Sequence, residues 1–320
     1  MTNLLSHKDM PLITVDALTR GELLAIAARR WGALRESRPD LGPAVDLQQR
    51  LLTIVIDTAH VIGSSRLPRL SLPPKYLAAK LARGVPVLAG EPIPGPLGLL
   101  QGSLFKLCDA LAEGGAADSA THIRDAIANG SMEAGSLLTA SLARNQEAIR
   151  TGAIHRGLAP DLVWLVAELA TTPFAHALQY SVLGNRQEES FAAACAGWSA
   201  GYCPACGSWP ALAECAASHR VLRCSFCSAG WELNAYACIY CGEAGDPFVT
   251  AAPDEERKDR RVEVCSACQA YVKTIDLPAL SPFPLVAIAD METMDLDLAA
   301  MEHGYGRPPL KDFTTGPKKG

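Results

Sequence analysis

Four Cys-x-x-Cys pairs lie in the last third of this 320-residue chain: Cys203/Cys206, Cys224/Cys227, Cys238/Cys241 and Cys265/Cys268. Eight thiolates in four chelating pairs are the ligand set of two tetrahedral all-sulfur metal sites. One pair alone would also suit dithiol redox chemistry. Sulfurs spaced i, i+3 around a tight turn can both face one cation. Gly207 and Gly242 directly follow Cys206 and Cys241. Glycine there lets the backbone fold so that its N–H groups point at the sulfurs. Taken in chain order, the first two pairs form one site and the last two the other, with 17 and 23 residues between the paired motifs. An interleaved pairing, first with third and second with fourth, is the alternative. The expected cofactors are two metal ions per chain, iron or zinc, since tetrahedral sulfur suits both.

The elements that position these sulfurs differ from the rest of the chain. Residues 1–198 hold only Cys108 and Cys195 and read as an α-helical domain. Thr19-Arg-Gly-Glu22 is a capping box ahead of Leu23, Ala27, Trp31 and Leu34, which share one helical face. Further helices are predicted over about 47–62, 75–83, 97–113, 119–128, 131–149, 161–182 with a kink at Pro173, and 187–198. Gly84–Pro96, rich in proline and glycine, must be a loop. From about residue 199 the period changes. Val221–Cys224, Trp231–Tyr236, Val262–Val264 and Tyr271–Ile275 alternate like short strands entering or leaving the cysteine turns. The order turn, strand, turn occurs twice, as in a duplicated rubredoxin-like or zinc-ribbon unit. The first unit is expected at 199–236 and the second at 237–280. Residues 281–320 close the chain with a helix over about 290–302, striped by Met294, Leu298 and Met301, and a frayed tail from Arg307. The fold class is therefore α+β. A β-rich unit with so few apolar residues cannot bury enough surface alone, so metal binding is expected to supply much of its folding free energy, roughly 10–16 kcal/mol per structural zinc in small peptides.

Composition narrows the function. A formal charge of −5 with 49% apolar residues describes a soluble globular chain. The N-terminal residues lack the pattern of a secretory signal, and the most apolar helix, Leu51–Ile62, is interrupted by Asp57 and His60 and too short to span a bilayer. A cytoplasmic location without membrane insertion follows, where 11 cysteines are better read as thiolate ligands than as disulfides. Seven basic against ten acidic side chains between residues 199 and 280 make a poor footprint for phosphates, so a nucleic-acid-binding zinc ribbon is the weaker reading. No phosphate-binding loop, nucleophile turn or paired carboxylates appear, and the chain reads as a non-enzyme. A rubredoxin-like electron carrier is a further alternative, but it leaves the large helical domain unexplained.

The stretch Gly201-Tyr-Cys-Pro-Ala-Cys-Gly-Ser-Trp-Pro210 resembles the FdhE family, the formate dehydrogenase accessory proteins. So do Leu222-Arg-Cys-Ser-Phe-Cys-Ser-Ala-Gly-Trp231, Ala237-Cys-Ile-Tyr-Cys-Gly-Glu243 and Val264-Cys-Ser-Ala-Cys-Gln-Ala-Tyr-Val-Lys273. The closing helix Asp290–Glu302, followed by Gly304-Tyr-Gly-Arg307, is also similar. Over the helical half only the general layout and Arg29-Arg-Trp31 carry the likeness. Gln269 departs from the pattern, standing where glycine is expected after the last turn. The resemblance implies a cytoplasmic, non-catalytic assembly factor that contacts the catalytic subunit of a formate dehydrogenase, a molybdenum or tungsten enzyme, before its export. It also implies rubredoxin-like iron at the cysteine sites.

Other candidates read more simply. Cys215 lacks a partner at i±3 and is expected to be a non-ligand thiol; Cys108 and Cys195 sit on apolar helical stretches as core residues. His60, His122, His155 and His176 are scattered, and His219 lies between two complete cysteine turns. Asp290, Glu292, Asp295, Asp297 and Glu302 are expected to form a solvated helix face. Trp209, Trp231 and Tyr271 are expected to pack over the metals, and the 84–96 loop and the tail are the expected partner surface.

Overall fold

Helices occupy most of the chain from Arg20 to Ala196, and a seven-stranded sheet carries the cysteine turns. The computed structural model describes residues 12–13, 15, 17–65, 70–184, 188–233, 235–252, 258–311 and 313. The fold is α+β, as the change of period implies.

The helices are α1 (Arg20–Ser37), α2 (Gly42–Ser64), α3 (Pro74–Ala82), α4 (Leu97–Leu111), α5 (Ala117–Ala128), α6 (Ala134–Leu142), α7 (Gln146–Ile154), α8 (Pro160–Gly184) and α9 (Glu189–Ala196). The capping box forms: the Thr19 hydroxyl accepts from the Glu22 N–H, and the Glu22 carboxylate accepts from the Thr19 N–H at 2.8 Å. Leu23, Ala27, Trp31 and Leu34 are buried as one face. The single helix expected over 131–149 is two. Arg144 takes a left-handed φ of 58°, and the Asn145 side chain starts α7 by accepting from the Ala148 N–H. Asparagine competing for backbone N–H groups outweighs the continuous apolar pattern. The α8 helix runs for 25 residues with Pro173 inside it. Among the described residues no helix is long and apolar enough to cross a membrane.

The strands are β1 (Leu12–Ile13), β2 (Pro210–Ala216), β3 (His219–Cys224), β4 (Gly230–Trp231), β5 (Phe248–Ala251), β6 (Arg260–Cys265) and β7 (Ala270–Asp276). Their order is β1-β4-β3-β2-β7-β6-β5, antiparallel except at the β2–β7 seam, where Ala213 faces Thr274 in parallel register. Two three-stranded antiparallel blocks, β4-β3-β2 and β7-β6-β5, are thus joined head to tail, and β1 adds to the β4 edge of the first. Each is built as turn, strand, strand, turn, strand. Sequence periodicity missed the first strand of each block. The β2 strand is buried nearly throughout and shows no alternation, as a central strand covered on both faces should. The β5 strand is a short exposed edge. The expected strand Trp231–Tyr236 pairs only at Gly230–Trp231, and its Asn234 lies outside the described residues. Residues 253–257, between β5 and β6, also lie outside them, and Arg260 and Arg261 belong to β6.

The sheet and the helical body share a core. Cys203, Ala205, Leu222, Phe226, Trp231 and Val272 join Leu100, Leu104, Val166 and Phe174 in one apolar cluster. The scarcity of apolar residues in the cysteine region is met by packing on the helices. The C-terminal helix is also two, α10 (Val286–Glu292) and α11 (Met294–Glu302), broken at buried Thr293, whose hydroxyl bonds the Ala289 carbonyl. The expected stripe is not the buried one: Leu296 and Ala300 face inward, while Leu298 and Met301 are exposed. The break lets each helix aim an aspartate at fully buried Lys273. Its Nζ lies 2.7 Å from Asp290 and 2.5 Å from Asp297, and Arg307 bridges both carboxylates. Glu292 pairs with Arg30 of α1 at 2.6 Å. The acidic face is therefore largely internal pairing, because a buried lysine needs partner charges. The tail is held, not frayed, at Arg307, Pro309 and Phe313, and its residues 314–320 lie outside the described ones.

Candidate metal centres

The four cysteine turns share one backbone design. In the first, the Cys203 N–H bonds the Ser208 carbonyl and the Gly207 N–H bonds the Cys203 carbonyl, both at 2.9 Å. The second repeats this from Cys224 to Ala229 and Ser228, and the third from Cys238 to Glu243 and Gly242. In the fourth, Cys265 pairs with Ala270 in the β6–β7 ladder. The fifth residue of every turn has positive φ: Gly207 at 83°, Ser228 at 56°, Gly242 at 82° and Gln269 at 55°. Gln269 thus reproduces the turn that glycine would make, and the departure from the family pattern leaves the geometry intact. A left-handed non-glycine residue costs about 1–2 kcal/mol. Ser228 was the missed member of this set, and its place four residues after Cys224 is the signal that identifies it.

The turns meet in chain order, not interleaved. Cys203, Cys206, Cys224 and Cys227 converge in one cluster and Cys238, Cys241, Cys265 and Cys268 in the other, with all ligand atoms of each within 4.8 Å. In the first cluster three Sγ–Sγ distances are 3.5, 3.6 and 3.7 Å; in the second, two are 3.6 Å. These are far too long for disulfides, which bond at about 2.0 Å. A tetrahedron with metal–sulfur bonds of about 2.3 Å has edges of about 3.8 Å, so either cage could hold a cation. Among the described residues no other cluster of His, Cys, Asp or Glu could do so.

Charge makes the same point for the first cluster. All four of its cysteines are at most 5% exposed. Burial pushes the Cys203 and Cys227 thiols well up. Burial acts the same way on Cys206, but hydrogen bonds from the other three thiols and the charge of Arg144 outweigh it and pull that thiol down. Left to itself the cage favours a partly protonated state. Four thiolates at this depth need a cation at their centre. Two N–H groups, of Phe226 and Cys227, lie 3.4 Å from Cys224 Sγ.

The surroundings of the first cluster come from distant parts of the chain. His176 of α8 donates Nδ1–H to the Cys227 carbonyl at 2.9 Å and stacks on Phe283 at 4.0 Å. Burial holds this imidazole down at about 4, so it stays neutral. The Arg144 guanidinium lies 3.9 Å over the Phe226 ring and 4.7 Å over Trp164, paired with Glu168. The 84–96 loop bonds the first turn through Val87 N–H to Pro204 O and Leu88 N–H to Ala205 O, both at 2.9 Å. Its half-buried Glu91 pairs with buried Lys80 at 2.5 Å. The tail covers the same turn: Trp209 donates to Pro309 O at 2.9 Å, and Phe313 packs 5.0 Å from Tyr202. Both segments expected to form a partner surface thus contact the chain's own first turn.

The two clusters also touch. Gly201 lies so close to Ile239 that an added Cβ would sit 2.6 Å from the Ile239 carbonyl carbon. Tyr240 follows, its hydroxyl bonded to Tyr271 O at 3.0 Å. The remaining candidates stay outside the cages. Cys215 accepts a hydrogen bond from Arg261 at 3.1 Å, and His219 pairs with Glu232 at 2.8 Å. Cys195 is buried on α9, and burial pushes the Cys108 thiol up to about 12.

No family model matches the chain. Three curated proteins named FdhE homologs are similar in sequence. That of Aquifex aeolicus is 31% identical over 113 residues, 34% of this chain and 40% of the relative. That of Stutzerimonas stutzeri is 27% identical over 146 residues, 44% and 43%, and that of Haemophilus ducreyi 26% over 115 residues, 35% and 37%. The matches thus span about two fifths of the length of these relatives. The crystal structure of the FdhE protein from Pseudomonas aeruginosa superposes with a TM-score of 0.59 at 22% identity, covering 94% of this chain and 98% of that one, which shows a shared fold. The chain is thus similar in sequence to three FdhE homologs over part of their length and shares the fold of a solved FdhE protein.

Proposed function

We propose that the chain is a non-catalytic accessory protein for formate dehydrogenase assembly that binds the enzyme's catalytic subunit in the cytoplasm. It carries two metal ions, one at Cys203, Cys206, Cys224 and Cys227 and one at Cys238, Cys241, Cys265 and Cys268. In this reading residues 1–198 form the body, 199–236 and 237–280 the two rubredoxin-like metal units, and 281–320 the closing helices and tail. The observation that carries it is the pair of four-sulfur cages with near-tetrahedral edges on a chain of FdhE fold. A bound ion would supply charge compensation for four thiolates and a cross-link between two turns. The residues around it do the rest: left-handed backbone at positions 207, 228, 242 and 269 folds each turn, and buried Phe226 and Trp209 pack about the first cage.

Phosphate binding finds little support, because four of the seven basic residues of the region are engaged internally. Arg220 pairs with Glu263, Arg223 with Glu214, Arg261 with Asp276 and Lys273 with Asp290 and Asp297.

Elemental analysis with an absorption spectrum on anaerobically prepared protein tests the metal reading. Two ions per chain are expected, with visible sulfur-to-iron bands if the metal is iron and none if it is zinc. A folded, metal-free chain with eight titratable thiols in these positions would overturn it. Co-purification with a formate dehydrogenase catalytic subunit tests the partner, and no retention at micromolar concentrations would remove it.

A further inference from the structure

The two cages differ in how they meet solvent. Every cysteine of the first is buried, whereas in the second Cys241 is exposed and Cys268 half-buried, with only Cys238 and Cys265 inside. The walls differ in the same sense. The first cage is walled by α8 through His176, by the 85–88 segment and by the Arg144–Phe226 stack, and its Cys206, 5% exposed, borders a cavity beneath the tail. Around the second, the segment after Cys241 is mostly exposed: Gly242 has open space about it, and three of the four residues of edge strand β5 face solvent.

Resting on the metal-bound reading above, we infer that the second cage is an exchangeable site for a thiophilic divalent cation, and the first a permanent one. An ion leaves a four-thiolate cage stepwise, as an incoming donor reaches the metal or one thiolate swings away. At the second cage, Cys241 can swing out at the cost of little buried surface, because the segment from residue 241 to 251 makes few apolar contacts with the core. At the first, releasing any sulfur requires a turn to part from the helical body, since Cys203, Ala205, Phe226 and Cys227 lie in the shared core. Local opening is cheap where few buried contacts break and approaches the global unfolding free energy where the core is involved. The chain can therefore load and unload one ion while staying folded. Ile239 keeps the third turn docked against Gly201 meanwhile.

The test uses the full-length, metal-loaded protein, anaerobic, mixed with excess 4-(2-pyridylazo)resorcinol as chelator. Two release phases of one ion per chain are expected, the faster by about tenfold or more, with helical circular dichroism unchanged after the fast phase. Alkylation with iodoacetamide at that point, mapped by mass spectrometry, should label Cys238, Cys241, Cys265 and Cys268 and spare Cys203, Cys206, Cys224 and Cys227. Cys241→Ser should speed or abolish the fast phase and leave the slow phase unchanged. Release in one phase, labelling of both cages together, or a fast phase mapping to the first cage would overturn the inference while leaving the metal reading intact. Protein that binds no metal would overturn both.

Discussion

Gly201→Ala tests whether the two cages are packed against each other as tightly as the backbone implies. The added Cβ would meet the Ile239 carbonyl oxygen closest of all and would lie 2.6 Å from the carbonyl carbon and 2.9 Å from the Cα of that residue. Comfortable carbon–carbon contact begins at about 3.5 Å, so one backbone must retreat by about 1 Å. Neither can do so freely. Gly201 is two residues from Cys203, and Ile239 lies between Cys238 and Cys241. A methyl forced into a packed interior costs about 1–3 kcal/mol, occasionally more. With backbone on both sides we expect about 3 kcal/mol, or a melting temperature lower by about 5–10 °C for a chain of this size. Gly32→Ala is the control: it sits inside α1 with nothing within 4 Å of an added Cβ. It should stabilise by up to about 1 kcal/mol through helix propensity. Thermal scans of both variants, loaded with the same metal, make the comparison. If Gly201→Ala melts with the wild type, the contact between the first and third turns is not as described and the reasoning fails.

Three further outcomes follow from the same geometry. Gly207→Ala should be far more damaging than Gly242→Ala. Their φ values are 83° and 82°, but an added Cβ at 207 meets Pro86 at 3.2 Å and the Phe313 ring closer still, while at 242 it meets nothing. The second variant should lose only about 1–2 kcal/mol, and equal losses in denaturant melts would contradict this. Lys80→Met leaves half-buried Glu91 with the Tyr76 hydroxyl as its remaining partner and should cost about 1.5–3 kcal/mol, whereas Lys80→Met with Glu91→Leu should recover most of it; a double variant as unstable as the single would refute the account. Asp290 is held below the usual carboxylate range: burial opposes this, but Lys273 and Arg307 outweigh it. Its contribution is therefore present above the unfolded aspartate value of about 3.9 and is lost as pH falls through the lower folded value. Wild type minus Asp290→Asn stability should be constant from pH 7 to about 5 and shrink below about 4. A difference that grows on acidification would reverse the sign.

Several features of this chain were legible in its residues because the information is local. The i, i+3 cysteines dictate chelating turns, the Thr19–Glu22 box starts α1, and the jump in cysteine frequency at about residue 199 marks the change of architecture. Chain order suggests sequential pairing of the turns but leaves the interleaved one open, and only their positions in the fold decide between them. Gln269 looked like a defect and is not one, because a left-handed backbone position tolerates glutamine at a modest energetic cost. The strands missed at Pro210–Ala216 and Phe248–Ala251 lack alternation, one being covered on both faces and the other exposed on most of its length.

Only tertiary structure decided how the turns are enclosed. His176 reaches Cys227 across 51 positions, Trp209 reaches Pro309 across 100, and Tyr202 reaches Gly84 across 118. No spacing rule connects residues that far apart. The parallel β2–β7 seam likewise depends on two blocks meeting edge to edge, and the pairing of Lys273 with Asp290 and Asp297 on a helix break at Thr293. The residues alone determine that four sulfurs can gather twice. Burial by the rest of the fold determines that one gathering is enclosed among the helices and the other open to solvent at Cys241.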